Sequence, residues 1–178
     1  MGISGPIGEL VAFRQRAGKT FLVKARRSHP VTRSEKYLAA QARFKSSVAY
    51  AKMVVRDPAL KSLYTSKIAD GQTAFNLALS DAYYSPVVSE INAENYHGAA
   101  GDLIKIRATD NFKVDNLTIS IFGSDGTLME TGPARDLGNE LDWIYIVKAS
   151  NAILAGTRII ATAADLPGNT HSIEVVLP

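Results

Sequence analysis

The hydrophobic pattern of this chain changes once, from a helical repeat to a strand repeat, near residue 86. Before that point apolar residues recur every three or four positions, which is typical of helices that bury one face. From Val87 onward they alternate with polar residues, which is typical of half-buried strands. A chain of 178 residues is long enough to bury a core in each part. We therefore predict two domains, residues 1–85 and residues 86–178.

The charge of the chain changes at the same place. Residues 1–85 contain 14 Lys and Arg against 5 Asp and Glu, a net charge of +9, and residues 86–178 contain 6 against 12, a net charge of −6. The overall charge of +3 therefore conceals a basic half and an acidic half. Such asymmetry indicates a partner of opposite charge, either a nucleic acid or the acidic half of another copy.

The basic half begins with a predicted β-hairpin. Residues 9–15 and 20–26 have strand composition, and Gly18 between them tolerates the positive φ of a tight turn. An isolated hairpin is only marginally stable in water. We therefore expect this one to pack on helices or to pair with another sheet.

About three helices are predicted after the hairpin. Thr32 and Glu35 have the spacing of a capping box, which predicts a helix that runs to about Arg56. Asp57-Pro58 begins a second helix, and a third follows from Thr73. The first helix has one apolar face, formed by Tyr37, Gln41, Phe44, Val48, Ala51 and Val55. Its opposite side is weakly polar, so we expect burial on two sides, one of them against a second chain.

The acidic half is predicted to be an immunoglobulin-like β-sandwich of about seven strands. Short alternating segments separated by turns are the pattern of such a fold. The predicted strands are residues 87–92, 102–109, 115–122, 127–131, 142–149, 156–164 and 171–177. Because the chain has no cysteine, the inter-sheet disulfide of antibody domains is excluded.

Two stretches of the acidic half have a familiar sequence. The first is Ala108-Thr109-Asp110-Asn111-Phe112, followed by Val114 and Leu117-Thr118-Ile119-Ser120-Ile121. The second is Ala161-Thr162-Ala163-Ala164-Asp165 with Pro167-Gly168-Asn169-Thr170. The first resembles the middle of bacterial Ig-like modules, and the second resembles their closing strands.

A broader resemblance extends over the whole chain. It rests on Gly2-Ile3-Ser4-Gly5 with Gly8, Arg14-Gln15-Arg16-Ala17-Gly18-Lys19-Thr20, Gln41-Ala42-Arg43-Phe44, Tyr50-Ala51-Lys52 with Asp57-Pro58, and Phe75-Asn76. These residues resemble a group of short uncharacterised proteins from Bacteroidetes-type bacteria, which have a basic N-terminal module and a C-terminal Ig-like domain. The resemblance implies the two-part layout and no particular activity.

The cations of the basic half are the candidate site. Between Arg14 and Lys67 there are 14 Lys and Arg against only Glu35 and Asp57, a density suited to phosphate or to an acidic protein surface. The sequence has no helix-turn-helix, zinc-finger or RNA-binding aromatic motif. The candidates for assembly or phosphate binding are Arg14, Arg16, Lys19, Lys24, Arg26, Arg27, Arg33, Arg43 and Lys52.

No catalytic, cofactor-binding or metal-binding residues are predicted. The histidines His29, His97 and His171 are far apart, and the sequence has no HExxH or G-x-S-x-G motif. Calcium is the one alternative, because aspartates at the loop ends of a sandwich can bind it. Those aspartates are Asp110, Asp115, Asp136 and Asp165. We prefer to explain them as turn residues, since the sequence contains no 12-residue calcium loop.

We therefore expect a non-enzymatic structural protein that self-assembles into a ring or filament. The basic module of one copy would dock on the acidic Ig-like module of its neighbour, so the protein would be a homo-oligomer. The alternative is a nucleic-acid-associated protein that binds phosphates through residues 14–67. We expect no membrane insertion and no small-molecule substrate. With no signal peptide seen, the expected location is the cytoplasm, or outside the cell by a route without an N-terminal signal.

Overall fold

The structure is a computed structural model, and it describes residues 5–7, 11–16, 19–24 and 34–178. Over these ranges the chain has an α+β fold with three helices and three antiparallel sheets. The chain divides into two compact units, Met1–Leu38 and Ala39–Pro178. We call them the N-terminal unit and the C-terminal unit.

The N-terminal unit contains a three-stranded sheet. Its strands are β1 (Gly5–Ile7), β2 (Val11–Arg16) and β3 (Lys19–Lys24), in the order β1-β2-β3. The predicted hairpin is confirmed by the pairing of β2 with β3, and β1 adds a strand that the sequence did not indicate. Gly18 lies outside the described residues. None of the described side chains of β2 and β3 is buried.

Helix α1 (Glu35–Arg56) begins later than the capping box predicts and buries only part of the predicted face. Ser34 Oγ accepts the Tyr37 N–H at 3.3 Å, whereas Thr32 lies outside the described residues. The buried residues are Ser47, Ala51 and Val54. Of the predicted face, Ala51 is buried and Val48 is partly buried, whereas the larger Phe44 is 52% exposed because the helix packs through small side chains.

Two shorter helices follow with the predicted starts. Helix α2 (Pro58–Thr65) is capped by Asp57, whose Oδ1 accepts the N–H groups of Ala59 at 2.8 Å and Leu60 at 3.1 Å. Helix α3 (Ala74–Tyr83) is capped by Thr73, whose hydroxyl oxygen accepts the N–H of the third helical residue. Within the described part of the chain, no helix is both long enough and apolar enough to cross a bilayer.

All seven predicted strand segments of the acidic half form strands, and a short eighth strand is added. The strands are β4 (Val87–Asn92), β5 (Leu103–Thr109), β6 (Val114–Phe122), β7 (Leu128–Pro133), β8 (Arg135–Asp136), β9 (Asp142–Ile146), β10 (Arg158–Asp165) and β11 (Thr170–Val176). They form two antiparallel four-stranded sheets, in the orders β11-β10-β6-β7 and β4-β5-β9-β8.

The two four-stranded sheets share one hydrophobic core. Alternate residues of β5, β6 and β10 point into it, as period-two patterning requires. The core includes Ile104, Ile106, Ala108, Leu117, Ile119, Ile121, Trp143, Tyr145, Ile159, Ala161 and Ala163. This core accounts for the strand pattern read from the sequence.

A second hydrophobic cluster joins the helices to a loop between the sheets. Tyr64 of α2 and Leu77 of α3 are buried with Phe112, which lies between β5 and β6, and the Tyr64 and Phe112 rings stack at 4.1 Å. The cluster contains residues from both sides of the predicted boundary at 85/86. The compact units instead divide between Leu38 and Ala39.

We predict that Phe112→Ala destabilises the helices and the sheets together. Removing a buried aromatic ring costs about 3–5 kcal/mol of unfolding free energy. The measurement is urea unfolding, followed by far-ultraviolet circular dichroism and by the fluorescence of Trp143, the only tryptophan. The urea midpoint should fall by the same amount with both probes.

The matched control is Leu128→Ala, since Leu128 is exposed. Its effect should stay within about 0.5 kcal/mol. If Phe112→Ala shifts the circular dichroism transition but not the Trp143 fluorescence transition, the helices and the sheets do not unfold together and the prediction is contradicted.

Candidate functional site

Three carboxylates converge in the C-terminal unit. Asp81 lies on α3, Asp110 is the first residue after β5, and Asp165 is the last residue of β10. One side-chain oxygen from each lies within 4.8 Å of those of the other two. Asp81 and Asp165 are buried, and Asp110 is half-buried. We call this group the aspartate cluster.

Asp81 is the most enclosed member of the cluster, with 0% of its surface exposed. The Tyr64 hydroxyl donates a hydrogen bond to Asp81 Oδ2, and the Tyr50 hydroxyl lies 2.9 Å from that of Tyr64. Asp81 Oδ1 is buried and has no hydrogen-bond partner. One of its two oxygens is therefore satisfied and the other is not.

Asp110 also has one side-chain oxygen with hydrogen-bond partners and one without. Its Oδ2 accepts the backbone N–H groups of Phe112 at 3.1 Å and Lys113 at 2.9 Å, which is ordinary Asx-turn chemistry. Its Oδ1 is buried without a partner. Asp81 and Asp110 thus each contribute an unsatisfied oxygen to one cluster.

Asp165, in contrast, is satisfied by Asn169. Its Oδ1 accepts the Asn169 backbone N–H at 2.6 Å, and its Oδ2 accepts the Asn169 amide at 2.7 Å. The same Asn169 amide donates to the carbonyl oxygens of Asp81 at 3.3 Å and Ala82 at 3.5 Å. Asn169 therefore holds the turn after β10 against the end of α3.

The cluster is electrostatically unbalanced. None of the ion pairs found among residues 34–178 includes Asp81, Asp110 or Asp165. Burial raises the pKa of Asp81 to about 8; the Tyr64 hydrogen bond opposes this rise and the Asp110 carboxyl adds to it. Burial also raises the pKa of Asp165, against the effect of its bonds to Asn169. Bringing such carboxylates together requires a proton or a cation.

A cleft of about 190 Å³ leads to the cluster at Asp110. Lys67 and Trp143 also line the cleft. The Lys67 ammonium group is held by Glu140 at 2.6 Å and by the Phe112 carbonyl at 3.3 Å. Asp110 lines this cleft and is the half-buried member of the cluster, so it is the aspartate that is reached from solvent.

The sequence named two of the three cluster residues. Asp110 and Asp165 were calcium candidates, whereas Asp81 was not, because nothing in a helical pattern marks a buried carboxylate. The other two candidates are not part of the cluster. Asp115 pairs with Lys113 at 3.3 Å, and Asp136, which lines the same cleft as Asp110, accepts the Gly138 N–H at its Oδ1 at 2.8 Å. Asp136 therefore fits the turn role that the sequence analysis preferred.

The basic candidates are dispersed. By the register of β2 with β3, Arg14 and Lys19 lie on one face of the N-terminal sheet and Lys24 lies on the other. These three residues are exposed, and Arg16 is the partner of Lys19 in the pairing. Arg26, Arg27 and Arg33 lie outside the described residues.

The two candidates on α1 differ in their contacts. Arg43 donates to Ser85 Oγ at 3.2 Å and lies 5.5 Å from the centre of the Tyr83 ring, so it links α1 to the end of α3. Lys52 is exposed and forms no ion pair within the described ranges. Arg43 thus has a structural contact that the sequence did not indicate.

We predict that Tyr64→Phe destabilises the protein by about 1–3 kcal/mol, because it removes the donor to a fully buried carboxylate. Tyr50→Phe is the matched control. Its loss should be about 0.5–1 kcal/mol, since the Tyr64 hydroxyl keeps Asp81 as a partner. Urea denaturation measures both variants, and an equal or smaller loss in Tyr64→Phe would show that its bond to Asp81 contributes little.

Comparisons with known proteins leave the family open. No protein-family model and no curated protein matches the sequence. Among solved structures, the crystal structure of an engineered protein at 1.98 Å resolution aligns with a TM-score of 0.36 and 18% identity. The alignment covers 57% of this chain and 25% of that protein, so this chain spans about a quarter of its length.

Proposed function

We propose that this protein is a non-enzymatic structural protein that self-assembles into a ring or filament. The basic N-terminal unit of one copy docks on the acidic residues 86–178 of a neighbour. The observation that carries this proposal is the exposed surface of β2 and β3. That surface is both apolar and basic, and each property calls for a partner.

The apolar part of the argument rests on two side chains. Phe21 is 47% exposed and Leu22 is 63% exposed, and as neighbours in one strand they lie on opposite faces of the sheet. A small sheet needs an apolar face packed on something to be stable. The described residues of β2 and β3 bury no side chain, so a second molecule is the covering partner that this proposal supplies.

The backbone of β3 supports the same proposal. β3 is an edge strand in the described sheet, with one side unpaired. An unpaired edge is a template for strand addition by another chain. The two four-stranded sheets also end in edge strands, among them β4 and β7. β4 is already contacted by β11, and its Val88 N–H donates to His171 Nδ1 at 3.1 Å, so β7 is the freer of these two edges.

Charge gives the contact its direction. Arg14, Lys19 and Lys24 form no ion pair within the described part of the chain. Residues 86–178 have a net charge of −6, so each copy offers one surface of each sign. Opposite surfaces on one molecule favour head-to-tail contacts, which either close into rings or continue as filaments.

We infer further that residues 86–178 are an Ig-like sandwich. Two antiparallel four-stranded sheets around one core support this inference. Strand β8, which pairs with β9 after the chain leaves β7, supplies the eighth strand. The fold itself selects no function, so the assembly proposal rests on the N-terminal surface.

Nucleic-acid binding through residues 14–67 is the second candidate. The exposed cations Arg14, Lys19 and Lys24 favour it. Phosphate, however, would leave Phe21 and Leu22 uncovered, whereas a protein partner covers them. Under this alternative, charge reversal at Arg26, Arg27 and Arg33 abolishes retention on DNA.

We predict assemblies that loosen with salt. Light scattering and negative-stain microscopy at low and high salt should show rings or filaments that become smaller as salt screens the charges. Arg14→Glu with Lys24→Glu should weaken assembly at low salt, and Leu22→Ser should weaken it at both salt concentrations. A monomer of the wild-type protein in both conditions would overturn the proposal.

The control for the charge reversal is Lys61→Glu. Lys61 is an exposed cation on α2 that was not among the candidates. The Lys61→Glu substitution also makes the net charge more negative, but on α2 and not on β2 or β3. Equal weakening by Lys61→Glu would attribute the effect to overall charge and would contradict a contact through β2 and β3.

A further inference from the structure

The unsatisfied oxygens of the aspartate cluster are the least explained feature of the C-terminal unit. Asp81 is fully buried, and its Oδ1 has no hydrogen-bond donor. Asp110 Oδ1 is in the same condition. Buried polar atoms are nearly always paired, and a carboxylate oxygen accepts either a proton donor or a cation.

Among the described residues, no Lys or Arg side chain is paired with these oxygens. Lys67 is bound to Glu140, and Lys113 is bound to Asp115. No Lys or Arg in the described chain forms an ion pair with the cluster. One proton shared between Asp81 and Asp110 would satisfy both oxygens, but it would neutralise one carboxylate only and leave two negative charges close together. A divalent cation would compensate two charges and occupy both unsatisfied oxygens.

We propose that Asp81, Asp110 and Asp165 form a binding site for a hard divalent cation, and that the cation is Ca²⁺. Oxygen donors select Ca²⁺ or Mg²⁺ over softer metals. Ca²⁺ accepts six to eight oxygens in irregular arrangements, whereas Mg²⁺ needs a nearly ideal octahedron. The cluster combines a helix residue, a loop residue and a strand end, an irregular set that suits Ca²⁺.

The cleft at Asp110 gives the cation a route and a source of ligands. A metal site needs an entry path, and Asp81 and Asp165 are buried. Asp110 is half-buried and lines the cleft, so water from that side completes the coordination. The bound cation would join the end of α3 to the segments after β5 and at the end of β10.

This site is independent of the proposed assembly. All three ligands belong to the C-terminal unit, whereas the assembly surface is on β2 and β3. The role that follows is structural: the cation stabilises the C-terminal unit and takes part in no reaction. A monomeric protein could still bind Ca²⁺, so failure of one proposal leaves the other unaffected.

The test uses the full-length chain, first stripped of metal with EGTA and then titrated with CaCl₂. Thermal unfolding and isothermal titration calorimetry measure stability and binding. At a hundredfold excess over the dissociation constant, we expect the melting temperature to rise by about 5–10 °C. MgCl₂ should give a smaller rise at the same concentration.

Terbium luminescence locates the bound ion. Tb³⁺ replaces Ca²⁺ at oxygen sites, and a nearby tyrosine sensitises its emission. Tyr64 is hydrogen-bonded to Asp81, so excitation of tyrosine should give strong emission that added CaCl₂ quenches. Emission that does not respond to CaCl₂ would place the terbium elsewhere and count against the site.

Three variants decide the assignment. Asp110→Asn and Asp81→Asn should each abolish the CaCl₂-dependent rise, and both keep an oxygen that can accept the bonds now made. Asp115→Asn is the matched control. Asp115 is an acid of β6 that pairs with Lys113, and this variant should keep the full CaCl₂-dependent rise in melting temperature. If Asp81→Asn does not fold, Asp110→Asn decides alone.

Three results would overturn the proposal or the metal that it names. A wild-type protein whose melting temperature does not respond to CaCl₂ would leave a shared proton as the explanation of the cluster. A response that persists in Asp110→Asn would assign the ion to surface carboxylates. A larger response to MgCl₂ than to CaCl₂ would overturn the choice of metal.

Discussion

The packing of the helices around Phe112 determines where the aspartate cluster forms. Phe112 lies two residues after Asp110, and its ring stacks on Tyr64 of α2. The hydroxyl of Tyr64 in turn donates to Asp81 of α3. One aromatic contact therefore fixes both the loop that contains Asp110 and the helix that contains Asp81. Without that contact the hydrophobic effect would give no reason for two carboxylates to meet in the interior.

Much of the fold follows from local patterns in the sequence. The seven strand segments alternate strictly because one face of each packs on a shared core, and Asp57 and Thr73 cap their helices through their own side chains. The predicted face of α1 is right at Ala51 but wrong at Phe44, because bulky side chains dominate a periodicity count whereas the helix packs through small residues such as Ser47. Strand β8 was missed because two residues are too short to show alternation.

The candidate site was less predictable, for a physical reason. The sequence indicates that Asp110 and Asp165 lie in turns, but Asp81 lies inside a helix, where a carboxylate is normally solvated. Its burial depends on Tyr64 and on the turn at Asn169, which are distant in sequence and close only in the fold. The cluster therefore arises from three separate elements. A pattern that is read along one element does not reveal it.

The two units place different demands on a partner. The C-terminal unit buries two hydrophobic clusters of its own. The described strands β2 and β3 bury no side chain, and ordering a segment costs conformational entropy that burial must offset. Under the proposed assembly, that burial is gained only on docking, and the ordering of the sheet is thermodynamically linked to association. Such linkage lowers the affinity between copies per unit of buried area. It also makes the ordering of β1–β3 depend on protein concentration, whereas the folding of the C-terminal unit does not.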